Sequence, residues 1–260
     1  MSHSPYELMQ MAVDIVASSP HPTNKVAATL AGIDHDGRPF AIARTNFWPP
    51  LIQQHIGTDT KIGNSSGTVH AETACIIAAP KTKGGKIFIT DLPCPNCVKN
   101  IAEAGIKDIY IDHKGFNKDW AKRRGDTFEN MSLRMCERSG IEVYEIWRKE
   151  QRIEQILEIF KGYRPPLEKP ALANPLNDQS FEQHIEQQTA HYGAEPFAMA
   201  ITTNNAGEKI VISAEPHLVI GYTSDNPEKS DDKYSFMLQP INRLITTAAR
   251  KGQKKHPDFV

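Results

Sequence analysis

Apolar positions along the first 160 residues switch between helical and strand-like spacing. Apolar residues recur every three or four positions over about 5–18, which predicts an amphipathic helix capped by Ser4-Pro5. Two short apolar runs joined by Asp34-His35-Asp36-Gly37 then predict a β-hairpin. The same spacing predicts strands at 86–90, 109–111 and 141–146, and helices at about 70–79, 94–104, 119–139 and 147–160.

This alternation of helices and strands predicts an α/β fold, a three-layer α/β/α sandwich with a five-stranded mixed sheet. We assign residues 1–163 to this domain and 164–178 to a proline-rich linker. Residues 179–260 are predicted to form a small α+β unit, with a helix near 180–192, strands at 197–203, 209–214 and 217–222, and a helix from Pro240. No function for this second unit follows from its sequence.

Two short motifs carry the candidate chemistry. His70, Cys94 and Cys97 are ligand types that hold zinc in catalytic sites, where three protein donors leave the fourth position to water. Glu72 follows the histidine too closely to be needed as a fourth donor, and is predicted to act as an acid and base. Taken alone, Cys94-Pro95-Asn96-Cys97 also fits a redox pair or half of a structural zinc site. The two motifs together favour a catalytic zinc site.

The composition indicates which partners and which cellular compartment fit this chemistry. Lys and Arg total 30 against 31 Asp and Glu, so the chain has no overall positive field to attract nucleic acid. Two of the four cysteines belong to the motif, and Cys75 and Cys136 fall in apolar helical patterns that predict burial. Thiolate ligands persist best in a reducing compartment, and no apolar run is long enough to span a bilayer. We therefore expect a cytoplasmic protein without membrane association.

Residues 5–147 resemble the cytidine and deoxycytidylate deaminase superfamily. The stretch from Pro93 to Tyr110, PCPNCVKNIAEAGIKDIY, is most similar to the deoxycytidylate deaminase branch. The resemblance implies a cytidine deaminase-like sheet, a zinc ion on the histidine and the two cysteines of the motif, and proton transfer by Glu72. It also implies that Asn46, after the second strand, contacts the sugar or base, and that the chain forms a homo-oligomer.

Five further residues are predicted to contact the substrate. Phe47 and Trp48 follow Asn46, and are expected either to stack on a base or to form a hydrophobic plug under their loop. Backbone groups near Ala71 and Pro93 are expected to orient the ring and its amino group. Phe116, in the loop after the fourth strand, completes the predicted pocket.

The sequence therefore predicts hydrolytic deamination of a cytosine-type nucleotide or nucleoside, similar to dCMP or CMP. One alternative is a tRNA adenosine deaminase, in which the basic cluster Lys118, Lys122, Arg123 and Arg124 would contact phosphates. The same cluster is also typical of a solvated helix face. A guanine or other free-base deaminase, and a zinc-stabilised partner subunit without activity, are the remaining alternatives.

Overall fold

The computed structural model describes residues 3–59, 61–62, 65–116, 126–162, 172–176, 181–204, 206–218, 237–251 and 254–258. Its main sheet has six strands in the order β2-β1-β5-β6-β7-β8. In this first part of the chain the elements are α1 Pro5–Val16, β1 Ala27–Ile33, β2 Pro39–Thr45, α2 Pro50–His55, β3 Lys61–Ile62, β4 Ser65–Ser66, α3 Ala71–Ala78, β5 Lys86–Ile89, α4 Pro95–Glu103, β6 Asp108–Asp112, α5 His113–Phe116, α6 Asp126–Ser139, β7 Glu142–Trp147 and β8 Arg152–Leu157.

The central strands β5, β6 and β7 are parallel, and β1, β2 and β8 are antiparallel to their neighbours. Alternate side chains of the central strands enter two different cores. Phe88, Tyr110 and Tyr144 stack in a row on the side covered by α1, with ring centroids 4.5 and 4.7 Å apart. Isoleucines of β5 and β6 point to the other side, against α3, α4 and α6. The predicted α/β sandwich with a mixed sheet is confirmed.

Helix α1 begins where the sequence predicted. The Ser4 hydroxyl accepts a hydrogen bond from the Glu7 N–H, and the Glu7 carboxylate accepts one from the Ser4 N–H. This reciprocal pair satisfies two backbone donors that a helix start would otherwise leave open. Leu8 and Met9 then bury the inner face of the helix against the aromatic row.

Helix α3 lies within the predicted range 70–79. Its N-cap is His70, whose side chain makes no capping hydrogen bond. Ile76 is fully buried whereas Ile77 is 43% exposed. The helix has only eight residues and is apolar on several sides, so its composition alone does not indicate which side faces the sheet.

The sixth strand lies where the apolar spacing predicted a helix over 147–160, and that prediction is wrong. The pairing of β7 with β8 contains a register shift after Val143. A bulge adds one residue and interrupts the alternation of faces. Ile153 therefore packs on the α1 side, while Ile156 and Leu157 pack against the opposite core. A bulged strand thus produces the spacing of a helix face.

In its described part, the loop between β2 and α3 contains three short regular elements. Pro49 and Pro50 start the short helix α2, because proline fits the first turn of a helix. The two-residue strands β3 and β4 pair with each other. Phe47 then pairs with Val69 through two backbone hydrogen bonds of 2.9 and 3.1 Å, so the loop returns to the main sheet immediately before α3.

The second part of the chain contains β9 Leu172–Pro175, α7 Phe181–Tyr192, β10 Ala198–Thr203, β11 Lys209–Ala214, β12 His217–Leu218, β13 Met237–Leu238, α8 Pro240–Lys251 and β14 Lys254–Asp258. Four of these strands form a sheet in the order β14-β10-β11-β9. Strand β9 lies inside the predicted linker. The rest of the linker, the end of the predicted strand 217–222 and the cluster at 118–124 lie outside the described residues.

Helix α8 connects the two parts. Leu244 packs with Ile210 and Ile212 of the second sheet, while Ala249 belongs to the larger core beneath α3 and α4. Among the described residues, no helix is long and apolar enough to cross a membrane.

Candidate zinc site

The predicted metal donors come together at one edge of the sheet. Helix α3 precedes β5 and α4 follows it, so the first turns of both helices lie at the carboxyl end of this strand. His70 is the N-cap of α3, Cys94 is the N-cap of α4, and Cys97 lies in the first turn of α4. The Asn100 amide donates to the Thr73 hydroxyl at 3.2 Å and ties the two helices together.

The spacing of the donor atoms fits zinc. The Nδ1 atom of His70 lies 3.6 Å from the sulfur of Cys94 and 3.2 Å from that of Cys97, and the three donor atoms lie within 4.8 Å of one another. A tetrahedral ion with Zn–S bonds of about 2.3 Å and Zn–N bonds of about 2.0 Å needs a nitrogen–sulfur separation of about 3.5 Å. Both cysteines are free thiols, so both can act as ligands.

The local electrostatics favour a bound cation. Hydrogen bonds from Cys97 and His70 hold the pKa of the Cys94 thiol well below its usual range. The Cys94 thiolate in turn raises the pKa of Cys97, so the two thiols lose their protons one after the other. The N-terminus of α4 also favours negative charge at its first turn.

Glu72 lies in the first turn of α3 and is 3% exposed. Burial raises the pKa of its carboxyl to about 7, while the neighbouring His70 acts in the opposite direction. A buried carboxyl next to a three-donor metal site can hold or release a proton near neutral pH.

The structure gives Asn46 a role in fixing a loop. Its side-chain oxygen accepts hydrogen bonds from the Ser19 hydroxyl at 2.6 Å and the Val26 N–H at 3.0 Å. Its amide nitrogen donates to the Asn24 carbonyl at 3.0 Å. Asn46 is 4% exposed, so its side chain holds residues 19–26 against the end of β2.

Trp48 is buried, as in the hydrophobic-plug alternative. Its indole N–H donates to the Asp59 carbonyl at 3.0 Å, and its ring stacks on His21 with planes 9° apart. Phe47 is half-buried and pairs through its backbone with Val69, next to the metal donor His70.

The other predicted contacts lie around the same edge of the sheet. Ala71 is fully buried at the start of α3, and the carbonyl of Pro93 accepts a hydrogen bond from Ser132 at 3.0 Å. Phe116 packs against the larger core. Its neighbour Gly115 approaches the chain after β5 so closely that a Cβ would lie 2.1 Å from the Thr90 carbonyl oxygen.

His21 was not among the residues predicted from sequence. Its Nδ1 accepts hydrogen bonds from the Thr23 and Asn24 N–H groups at 3.2 and 2.8 Å, so the ring proton sits on Nε2. Burial and the nearby His70 lower its pKa. In the sequence it lies in a Pro-His-Pro segment without periodicity, and the stacking on Trp48 that places it here connects residues 27 positions apart.

Comparisons with known proteins agree with this site. Residues 3–113 match the family model of the cytidine and deoxycytidylate deaminase zinc-binding region. The chain is 29% identical over 135 residues to an uncharacterized deaminase in the luxG 3′ region of Aliivibrio fischeri, covering 52% of this chain and 87% of that protein. It is 35% identical over 74 residues to ComE operon protein 2 of Bacillus subtilis, covering 25% of this chain and 39% of that protein.

Among solved structures, the chain is similar to dCMP deaminase from the cyanophage S-TIM5, crystallised with dCMP and dUMP. The sequence identity is 21% and the TM-score 0.39, over 56% of this chain and all of the other. The family match includes His70, Cys94 and Cys97, the three donors that the structure brings together. Residues 3–113 are therefore similar to the zinc-binding region of cytidine and deoxycytidylate deaminases, which supports a hydrolytic deaminase that holds zinc on His70, Cys94 and Cys97.

Proposed function

We propose that the chain deaminates a cytosine-type nucleotide or nucleoside, with Glu72 as its catalytic acid and base. The observation that carries the proposal is a buried carboxyl beside a complete set of three metal donors. A structural zinc site uses four protein ligands and has no need of an additional buried acid. This argues against an inactive, zinc-stabilised partner subunit.

His70, Cys94 and Cys97 would hold the zinc ion, which activates water at neutral pH. Glu72 accepts a proton from the attacking water and delivers it to the ring nitrogen, which makes the adjacent carbon more electrophilic. A second proton passes through the same carboxyl to the departing amino group. The amidine carbon gains oxygen and loses ammonia, so a cytosine ring becomes a uracil ring.

The roles of the site residues are tested by three variants. Glu72→Gln is expected to bind zinc at the wild-type stoichiometry and to lose about 100- to 10,000-fold in kcat, which is the usual contribution of general acid–base catalysis. Cys94→Ala is expected to lose both zinc and turnover. Glu137→Gln removes an exposed carboxyl on α6 and serves as the matched control. Wild-type turnover by Glu72→Gln would remove this residue from the mechanism.

The substrate is tested by ammonia release from dCMP, CMP, cytidine, guanine, pterin-like bases and tRNA. We expect turnover of the cytosine compounds, and a preference for nucleotides over cytidine would show that phosphate is recognised. Turnover confined to tRNA or guanine would replace the proposed substrate while leaving the zinc chemistry unchanged. Formation of a homo-oligomer stays a prediction.

A further inference from the structure

The C-terminal helix α8 lies against the far ends of both zinc-site helices. The Thr82 N–H, in the loop after α3, donates to the Ala249 carbonyl at 3.0 Å. The Thr82 hydroxyl donates to the Ala104 carbonyl at 2.7 Å, next to the end of α4. Hydrogen bonds thus connect α8 with the loop that follows α3, and that loop with the end of α4.

Arg243 of α8 adds a charged connection. The residue is 1% exposed, and its Nε donates to Glu103 at 3.3 Å while Nη1 donates to the Glu215 carbonyl at 2.9 Å. Glu103 is the last residue of α4 and is 5% exposed. A carboxylate at the C-terminus of a helix is disfavoured by the helix dipole, and a buried charge requires a partner. Arg243 therefore determines where the end of α4 can lie.

Helix α4 transmits this constraint to the metal donors. It spans nine residues, so at 1.5 Å per residue Glu103 lies about 9 Å along the axis from Cys97 in the first turn. A short, packed helix moves as a unit. A shift or rotation at Glu103 therefore changes the distance between the Cys97 sulfur and the His70 imidazole.

We propose that Arg243 is a positioning residue for the zinc site, and that the C-terminal unit braces α4 from the end opposite the metal donors. The family match ends at residue 113, so it assigns no role to this unit. In the proposed arrangement the buried Arg243–Glu103 ion pair sets the axial position of α4. The hydrogen bond between Thr82 and Ala249 holds the loop that follows α3 against α8.

The test compares neighbouring residues of α8 in the full chain. Arg243→Met removes the connection to α4, whereas Leu244→Ala loosens α8 on the side of the second sheet. Zinc release to a chromogenic chelator is measured well below the unfolding temperature of each variant. Because residues that support metal ligands affect affinity by about 10- to 100-fold, we expect Arg243→Met to release zinc at least about 10-fold faster than wild type. Leu244→Ala is expected to stay within about threefold of the wild-type rate.

Two further variants keep the test decisive. If the unpaired Glu103 prevents Arg243→Met from folding, the double variant Glu103→Gln/Arg243→Met removes both charges and should fold, with equally fast zinc release. Arg243→Lys keeps the charge and should restore part of the slow release. Wild-type zinc release from a folded variant without the pair would overturn the proposal, as would equally fast release from Leu244→Ala. Zinc release does not depend on the substrate, so this result is independent of the proposed deamination of cytosine.

Discussion

Replacing Asn46 with alanine tests whether this residue fixes the loop beside the zinc site. The substitution removes the acceptor of the Ser19 hydroxyl and of the Val26 N–H. The Ser19 hydroxyl keeps a weaker contact of 3.3 Å with the Asn46 carbonyl, and the exposed Asn24 can bind water instead. Stability is lost mainly because the Val26 N–H has no acceptor and the Ser19 hydroxyl has only a weaker one. At about 1–3 kcal/mol for each unsatisfied buried group, we expect a loss of about 2–3 kcal/mol in the free energy of unfolding.

Asp34→Ala is the matched control for this prediction. One oxygen of Asp34 also accepts two backbone N–H groups, from Asp36 and Arg38, but in an exposed turn of the same domain. Water can replace these bonds, so we expect a loss of about 0.5–1 kcal/mol. The assay is urea unfolding of the zinc-loaded chain, in which a shifted midpoint at constant slope reports stability. Equal losses for the two variants would refute the assigned role of Asn46.

Asn46→Asp separates this loop function from substrate binding. The aspartate keeps an acceptor for Ser19 and Val26, but its second oxygen faces the Asn24 carbonyl, so we expect a loss of about 1–3 kcal/mol in the free energy of unfolding. KM is measured on the folded enzyme, and it should rise for nucleotides in this variant if Asn46 also contacts the substrate, as the family resemblance implies. An unchanged KM would restrict Asn46 to its structural function.

Two other predictions concern a close backbone contact and the buried thiols. Gly115→Ala places a methyl group on the Thr90 carbonyl and should lower the free energy of unfolding by more than about 3 kcal/mol. Its control is Gly37→Ala, at φ +79° in open space, which should lower it by about 1 kcal/mol. Equal unfolding midpoints for the two variants would contradict the close approach of Gly115 to Thr90. Burial raises the pKa of Cys75 and of Cys136 to about 12, so both stay protonated and unreactive at pH 8 and could form thiolates only as the pH approaches 12. Of the four cysteines, a thiol reagent at pH 8 should therefore modify none in the zinc-loaded chain, Cys94 first after zinc removal, and all four after unfolding. Modification of Cys75 or Cys136 in the folded chain would contradict their burial.

The zinc donors could be predicted from sequence because each motif is local. His70 and Glu72 are separated by one residue at the start of a helix, and Cys94 and Cys97 by two residues at the start of the next. The intervening strand β5 ensures that both helix starts reach the same edge of the sheet. Residue type, spacing and the order of elements were therefore sufficient to bring the three donors together.

Where the structure differs from the sequence-based prediction, the cause is not local in the sequence. The spacing of apolar residues reports which side chains are buried, and it reports backbone geometry only where the structure is regular. In β8 a bulge places both Ile156 and Leu157 on the side opposite Ile153, so the spacing of these residues resembled that of a helix. The role of Asn46 depends on partners 20 to 27 positions away in sequence, which no local pattern reveals.

The domain boundary predicted at residue 163 also rests on a local pattern, which does not report contacts between distant residues. A proline-rich segment separates two apolar patterns in the sequence, yet helix α8 contributes Ala249 to the larger core and Arg243 to the end of α4. The Glu103 carboxylate and its partner are 140 positions apart. A chain that ended at the predicted boundary would lack the arginine that pairs with Glu103. The motif residues supply the zinc donors, but the distances between them depend on packing that includes the C-terminal helix.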